Sequence, residues 1–458
     1  MESADQMIRN RKVGPFLATA LVASNMVGSG IFLLPATLAS TGSITIIGWF
    51  IATAGALLVA VVLARLGRIS PQAGGPCAYA ADALGPYMGF QSTTIYWISC
   101  WSGNIAIAVT ATGYLASFVP ALALPAQGAA ASVGLIWLLT LVNILGPRLV
   151  CQIESVAIVL GLIPILLIAT AGWWYFDPAL FKASWNMRHE PVMTAVPNSL
   201  VLVFWAFTGL ESASVAAAVV ENPARNIPIA TIGGVLVAAL VYVTSCSVIM
   251  GLIPASALAA STAPFADAAK LVLGPAAGAF VAVMALVKTV GTLGGWILLT
   301  AQTGKAGADR GLFPAVFGRA DRYGIPVPAL LLMAAVMSAV VFATMSPTIG
   351  EQFGKLIEVS TIFCLLAYVY SCIALWHLDR PGPSVWAHKW VFLRYRVLAA
   401  AALLVCVWVI VESDRDLLLL TAATVGLTVP LYWFLIRPLW RSHDLARADR
   451  KASSSSTT

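Results

Sequence analysis

Charge is scarce in this chain: of 458 residues only 10% are Asp, Glu, Lys or Arg, while 60% are hydrophobic. Water-soluble domains carry about 25% charged residues, so a soluble globule is excluded and lipid must be the main solvent. Histidine is rarer still. His189, His377, His388 and His443 fall in loops or at the ends of apolar runs, which leaves no metal site and no histidine-based catalytic centre. The seven cysteines show no CxxC spacing and read as free thiols packed like small hydrophobes. P-loop, HExxH and GxSxG sequences are absent. Gly28-x-Gly30 fails as a dinucleotide fingerprint because Leu33 stands where its third glycine belongs. Neither an enzyme nor a resident cofactor is expected.

What the chain has instead is long apolar runs. A membrane β-barrel would show alternating apolar and polar residues in strands of about ten, and Val156 to Trp174 is apolar on every face. A bilayer core about 30 Å thick takes roughly 20 apolar residues per helix. The expectation is an all-α polytopic membrane protein of about twelve transmembrane helices, near 14-38, 44-66, 87-119, 129-147, 154-175, 195-220, 229-252, 274-303, 328-345, 353-377, 395-412 and 417-437. Met1 to Lys12 is too polar for a signal peptide, and the run that follows is too long for one, so it reads as retained.

Lys and Arg mark the cytoplasmic loops. Twenty of them fall on one side: Arg9, Arg11 and Lys12, then Arg65, Arg68, Arg148 and Arg225, then those of 305-322, 380-396 and 437-451. Four, Lys182, Arg188, Lys270 and Arg415, fall on the other. Both termini are expected in the cytoplasm of a multi-pass inner-membrane protein. Topology also accounts for the net charge of +7, leaving no basic patch for a nucleic acid.

Two interruptions organise the chain. Gly28-Ser29-Gly30 breaks the first span, and Thr208-Gly209 with Glu211-Ser212 breaks the sixth. Discontinuous helices in corresponding positions of two repeats point to a transporter binding site, although small residues in membrane helices also serve plain helix packing. The implied organisation is a cytoplasmic tail 1-12, a five-helix repeat 13-175, a second, inverted five-helix repeat 195-377, two further helices in 394-437 and a disordered cytoplasmic tail 438-458.

A half-helix starting after the first break aims backbone N-H groups and a positive dipole end at a carboxylate, with Ser29 as a hydroxyl donor. The second break frees carbonyls near Trp205 and Thr208 that suit an ammonium. One α-amino acid fits both ends. Tyr96, Trp97, Trp101, Trp205 and Trp296 gather aromatic faces at the expected cavity, where an indole attracts a cation by roughly 0.5 to 2 kcal/mol. For Trp97, Trp173 and Trp174 an interfacial belt or core packing is the reading favoured. Glu211, Lys288 and Glu358 are the charges inside spans, and such residues are functional candidates. Glu211 either couples transport to protons or caps loose backbone. Lys288 needs an anionic partner, with Glu358 nearest in depth.

Five segments carry a resemblance: NMVGSGIFLLPATLASTG (25-42), YWISCWSGNIAIAV (96-109), WAFTGLESASVAAAVVENPARNIPIATIGG (205-234), STAPFADAA (261-269) and LGGWILLTAQTGKAGADRGLFP (293-314). The chain resembles, from about Val13 to Arg437, the amino acid-polyamine-organocation superfamily in its basic amino acid/polyamine antiporter branch, nearest the arginine/agmatine antiporters. That resemblance implies a five-plus-five inverted-repeat (LeuT-like) fold with broken helices 1 and 6, a homodimer in the bilayer, and alternating-access exchange of an amino acid for its decarboxylated amine. A proton-coupled importer would share the same motifs. Carried onto this sequence, Ser29 and Gly30 hold the carboxylate, and backbone at Met26, Trp205 and Thr208 holds the ammonium. Ser99, Cys100, Asn104, Trp296 and Ser360 surround the side chain, and Tyr96, Trp205, Glu211 and Tyr368 gate or couple. The chain departs from the arginine exchangers at Lys288, Ala206, Thr208, Ile107, Glu358 and Cys77, which weakens arginine itself as the cargo.

Overall fold

In an apolar solvent every backbone N-H and C=O must be satisfied inside the chain, which selects helices for long apolar runs. The computed structural model describes residues 14–28, 30–70, 75–212, 220–322, 324–379, 386–438 and 440. Its helices are α1 (Pro15–Met26), α2 (Gly30–Ala39), α3 (Thr45–Ile69), α4 (Pro76–Leu84), α5 (Pro86–Ala116), α6 (Pro125–Leu145), α7 (Pro147–Ala171), α8 (Val192–Trp205), α9 (Pro223–Leu252), α10 (Pro264–Leu273), α11 (Pro275–Asp309), α12 (Val327–Ala343), α13 (Ile349–Leu378), α14 (Trp386–Val411) and α15 (Arg415–Leu431), with a few single turns between them. There is no β-strand among the described residues. Many of these helices open on proline, whose missing N-H costs nothing in the first turn and whose φ already suits a helix.

Among the described residues eight helices are long and apolar enough to cross a membrane, or nine if α1 and α2, bent by 42° at the Gly28 region, form one span. The chain is a multi-pass membrane protein. α8 and α12 are shorter apolar helices. α5 is 31 residues long but carries buried Ser92, Thr93, Ser99, Ser102, Asn104, Thr110 and Thr112. Those polar groups face protein rather than lipid, because α5 packs on α4, α11 and α13. At the periphery α14 and α15 keep most of their surface open, with Leu404 and Leu427 exposed as lipid-facing residues would be.

Most expected spans match a helix to within a few residues, but 195-220 does not. α8 stops at Trp205 after 14 residues, and the chain turns through 206–211. The remainder of that span, 213–219, lies outside the described residues.

One local motif recurs in the two halves. Leu84-Gly85-Pro86 joins short α4 to long α5, and Leu273-Gly274-Pro275 joins short α10 to long α11. Gly85 sits at φ 90°, ψ 177° and Gly274 at φ 92°, ψ 174°. A side chain at such a φ is strained, so glycine is required by the corner itself. Four residues past each corner glycine a second glycine admits the preceding short helix: a Cβ on Gly89 would meet Ala81 Cα at 2.9 Å, and one on Gly278 would meet Lys270 Cβ at 2.9 Å.

Candidate functional site

At the first break the helix tightens before it stops. Val27 N-H donates to Ala23 O at 2.6 Å and Gly28 N-H donates to Met26 O at 2.6 Å. Helical pairing would have given the Gly28 donor to the Ser24 carbonyl, so that carbonyl must look elsewhere. After the break, α2 starts at Gly30, and its first N-H groups have no intrahelical acceptor. Ser29, expected as a hydroxyl donor here, lies outside the described residues.

The second break is a series of narrow turns. Ala206 N-H bonds Val203 O, Phe207 N-H bonds Phe204 O and Thr208 N-H bonds Trp205 O at 3.1, 2.9 and 3.1 Å. Gly209 then takes φ 100°. This tightening engages a group expected to face the cargo. The Trp205 carbonyl, assigned to a cargo ammonium, already accepts the Thr208 N-H and, at 2.8 Å, the Thr208 hydroxyl.

The two breaks face one cavity. Of the expected residues, Met26, Gly30, Tyr96, Ser99, Cys100, Trp205, Thr208, Glu211, Trp296 and Ser360 line it. Asn25, Gly28, Gly103, Ile107, Ala206, Thr292 and Cys364 complete the wall. Asn25, Gly103, Thr292 and Cys364 were not expected there. Thr292 stands one turn from Trp296 and Cys364 one turn from Ser360, so helical spacing was the available signal.

Asn104 lies behind this wall, its amide donating to Thr300 Oγ1 at 3.1 Å. Ser99 and Ser360 clasp α5 to α13, each hydroxyl donating to the other's carbonyl at 2.7 Å. Trp97 packs edge-on against Trp101, Phe313 and Phe317, and Trp174 is 81% exposed. Trp97 and Trp101 are not among the lining residues.

Glu211 is the acid on the cavity wall. It is 1% exposed, with Tyr96 hydroxyl donating to Oε1 at 2.6 Å, Tyr368 hydroxyl to Oε2 at 2.5 Å and Gly209 N-H to Oε2 at 3.2 Å. Three donors thus converge on one buried carboxyl group. Tyr368 stands behind Glu211 rather than on the wall.

Lys288 and Glu358 do not meet, contrary to the expected pairing. Lys288 is 2% exposed, and its ammonium donates to Ser24 Oγ at 3.3 Å and Ser24 O at 3.5 Å, with Glu154 as the acid in electrostatic reach. Glu358 instead shares its surroundings with Asp414, Arg188 and Lys355. α11, which carries Lys288, packs on α5, α7 and α10, whereas α13, which carries Glu358, packs on α4, α5 and α14. Ser360 faces the cavity, and a residue two positions away is turned about 200° around the axis.

Among the described residues no group of three His, Cys, Asp or Glu side chains could hold a metal ion. The wall offers an acid, hydroxyls, thiols, an indole pair and two helix breaks, which is equipment for binding a small zwitterion or cation.

The chain belongs to the amino acid permease family, whose model matches residues 13–435. It is 41% identical over 370 residues to the cadaverine/lysine antiporter of Escherichia coli (strain K12), covering 80% of this chain and 83% of that protein. It is 36% identical over 367 residues to the putrescine transporter PotE of the same strain, covering 80% and 84%. The putrescine transporter PotE of Haemophilus influenzae (strain ATCC 51907 / DSM 11121 / KW20 / Rd) is 34% identical over 367 residues, again covering 80% and 84%.

Proposed function

We propose that this protein exchanges a basic amino acid of the lysine type for its decarboxylated diamine across a bacterial inner membrane, by alternating access around the cavity between the two breaks. The observation that carries this reading is the shared cavity itself. A helix start with free N-H groups and a buried carboxylate ringed by tyrosines both reach it, so one wall can take a carboxylate and another can attract an ammonium. The names of the relatives supply the cargo pair, lysine with cadaverine, and putrescine.

The finer architecture belongs to the same proposal: twelve spans, two inverted five-helix repeats over 13-175 and 195-377, helices 11 and 12 within 394-437, both termini cytoplasmic, and a homodimer in the bilayer. The recurrent glycine-proline corner at 85 and 274 supports the repeat, since one rare conformation precedes a long helix in each half. In this reading the Tyr96–Glu211–Tyr368 cluster is a gate.

Counterflow in proteoliposomes tests the exchange. Labelled lysine is expected to enter only when the lumen is preloaded with cadaverine or lysine. Equal uptake into empty vesicles driven by a proton gradient would replace exchange by import, and no uptake of either cargo would remove the reading.

A further inference from the structure

Trp205 closes the cavity as a plate held between two glycines. A Cβ on Gly30 would strike its Nε1 and lie 3.0 Å from Cδ1, and a Cβ on Gly103 would meet the far edge of the same ring at 2.8 Å. The indole therefore reaches from the start of α2 to α5, fixed at both ends. Trp205 is 8% exposed, and its Nε1-H is a buried donor without a partner. A buried donor with no acceptor is costly in a folded protein.

That donor lies against Gly30, where α2 begins. The first N-H groups of a helix also lack intrahelical acceptors and carry the positive end of its dipole. Two separate sources of donors thus converge on one corner of the cavity. The wall does not supply the acceptor, since the indole N-H finds no partner among the described residues. An acceptor that arrives with the cargo satisfies the corner, and the chemistry of the corner selects an anion.

We infer that the indole Nε1-H of Trp205 donates a hydrogen bond to the carboxylate of the bound amino acid, which makes Trp205 a residue that distinguishes the amino acid from its decarboxylated amine. The inference rests on the exchange reading above. A diamine has no carboxylate, so Nε1-H is paired on one leg of the exchange cycle and unpaired on the other. The ratio of the two affinities, rather than either alone, therefore reports the contact.

The test is equilibrium binding of lysine and of cadaverine to purified wild type and to three variants. Trp205→Phe removes the donor along with one ring. Replacement of Trp205 by benzothienylalanine through nonsense suppression keeps both rings and exchanges N-H for sulfur. Gly30→Ala leaves the indole intact and pushes its nitrogen off the corner. A lost hydrogen bond to a charged acceptor weakens lysine binding by about ten- to a hundredfold, and cadaverine binding is expected to fall by much less in the benzothienyl variant. An unchanged lysine-to-cadaverine ratio in that isosteric variant overturns the inference, as does an equal loss of both. Wild type that binds cadaverine but not lysine also overturns it while leaving amine transport standing. Wild type that binds neither removes the exchange reading, and this inference with it.

Discussion

The hydroxyl of Tyr368 lies 2.5 Å from Oε2 of Glu211, a residue 157 positions earlier in the chain, and both side chains are 1% exposed. Tyr96 holds the other oxygen. α5, the turn after α8, and α13 are thereby tied at one point beside the cavity, so a motion that parts them there separates the Glu211 carboxyl group from two donors.

Glu211→Gln keeps the size of the side chain and deletes its titration. Transport by this variant is expected to differ from wild type in its pH profile while cargo binding persists, as read by uptake into proteoliposomes and by equilibrium binding on the same preparation. Binding lost equally at every pH would make Glu211 a support for the second break and nothing more.

Trp296 lines the cavity, with its ring 3.4 Å from where a Cβ of Gly209 would stand. Trp296→Leu keeps apolar bulk and removes the quadrupole, so a cationic cargo should lose about 0.5 to 2 kcal/mol, or roughly 2- to 30-fold in affinity. Trp174→Leu, at an exposed position outside the cavity, is the control and should bind as wild type does. Unaltered binding by Trp296→Leu would take the ring out of the site.

Lys288 caps the Ser24 carbonyl that the first break left without its helical donor, and a cation suits the C-terminal end of α1. Lys288→Met is expected to lower stability by about 1 to 3 kcal/mol, the usual range for a buried acceptor left unmade, in thermal unfolding of the purified protein. Glu358→Gln should act independently, with the double variant additive within about 0.5 kcal/mol. A coupling above about 1 kcal/mol would restore the Lys288–Glu358 pair.

Arg65 and Asp379 form a two-pronged ion pair, with Nε to Oδ2 at 3.0 Å and Nη2 to Oδ1 at 2.8 Å, and the guanidinium lies 4.7 Å from the Tyr395 ring centroid. The pair joins the ends of α3 and α13. Arg65→Lys keeps the charge but cannot reproduce the fork, so it should unfold at lower temperature than wild type, by about 1 kcal/mol or more. Matching unfolding curves would show that only the charge counts.

Sequence by itself determined the solvent of this protein and the position of its weak points. Apolar runs about as long as a bilayer is thick can satisfy their backbone only as helices, and Gly28, Gly30 and Gly209 announce where those helices fail. Motif resemblance named most of the cavity wall, because those residues sit in short, contiguous segments. Pairing could not be read this way. Lys288 and Glu358 both fall inside apolar runs, but one meets Ser24 and Glu154 and the other Asp414, Arg188 and Lys355, and a one-dimensional reading does not yield such neighbours.

Tertiary structure alone decided which groups are spent and which are left over. The Trp205 indole N-H is left unpaired with its ring clamped between Gly30 and Gly103, 73 residues apart, whereas the Tyr96 and Tyr368 hydroxyls are both taken up by Glu211. Hydrogen bonds are directional and are made between elements remote in the chain. Composition fixes how many donors and acceptors there are, and only packing fixes which of them still face the cavity.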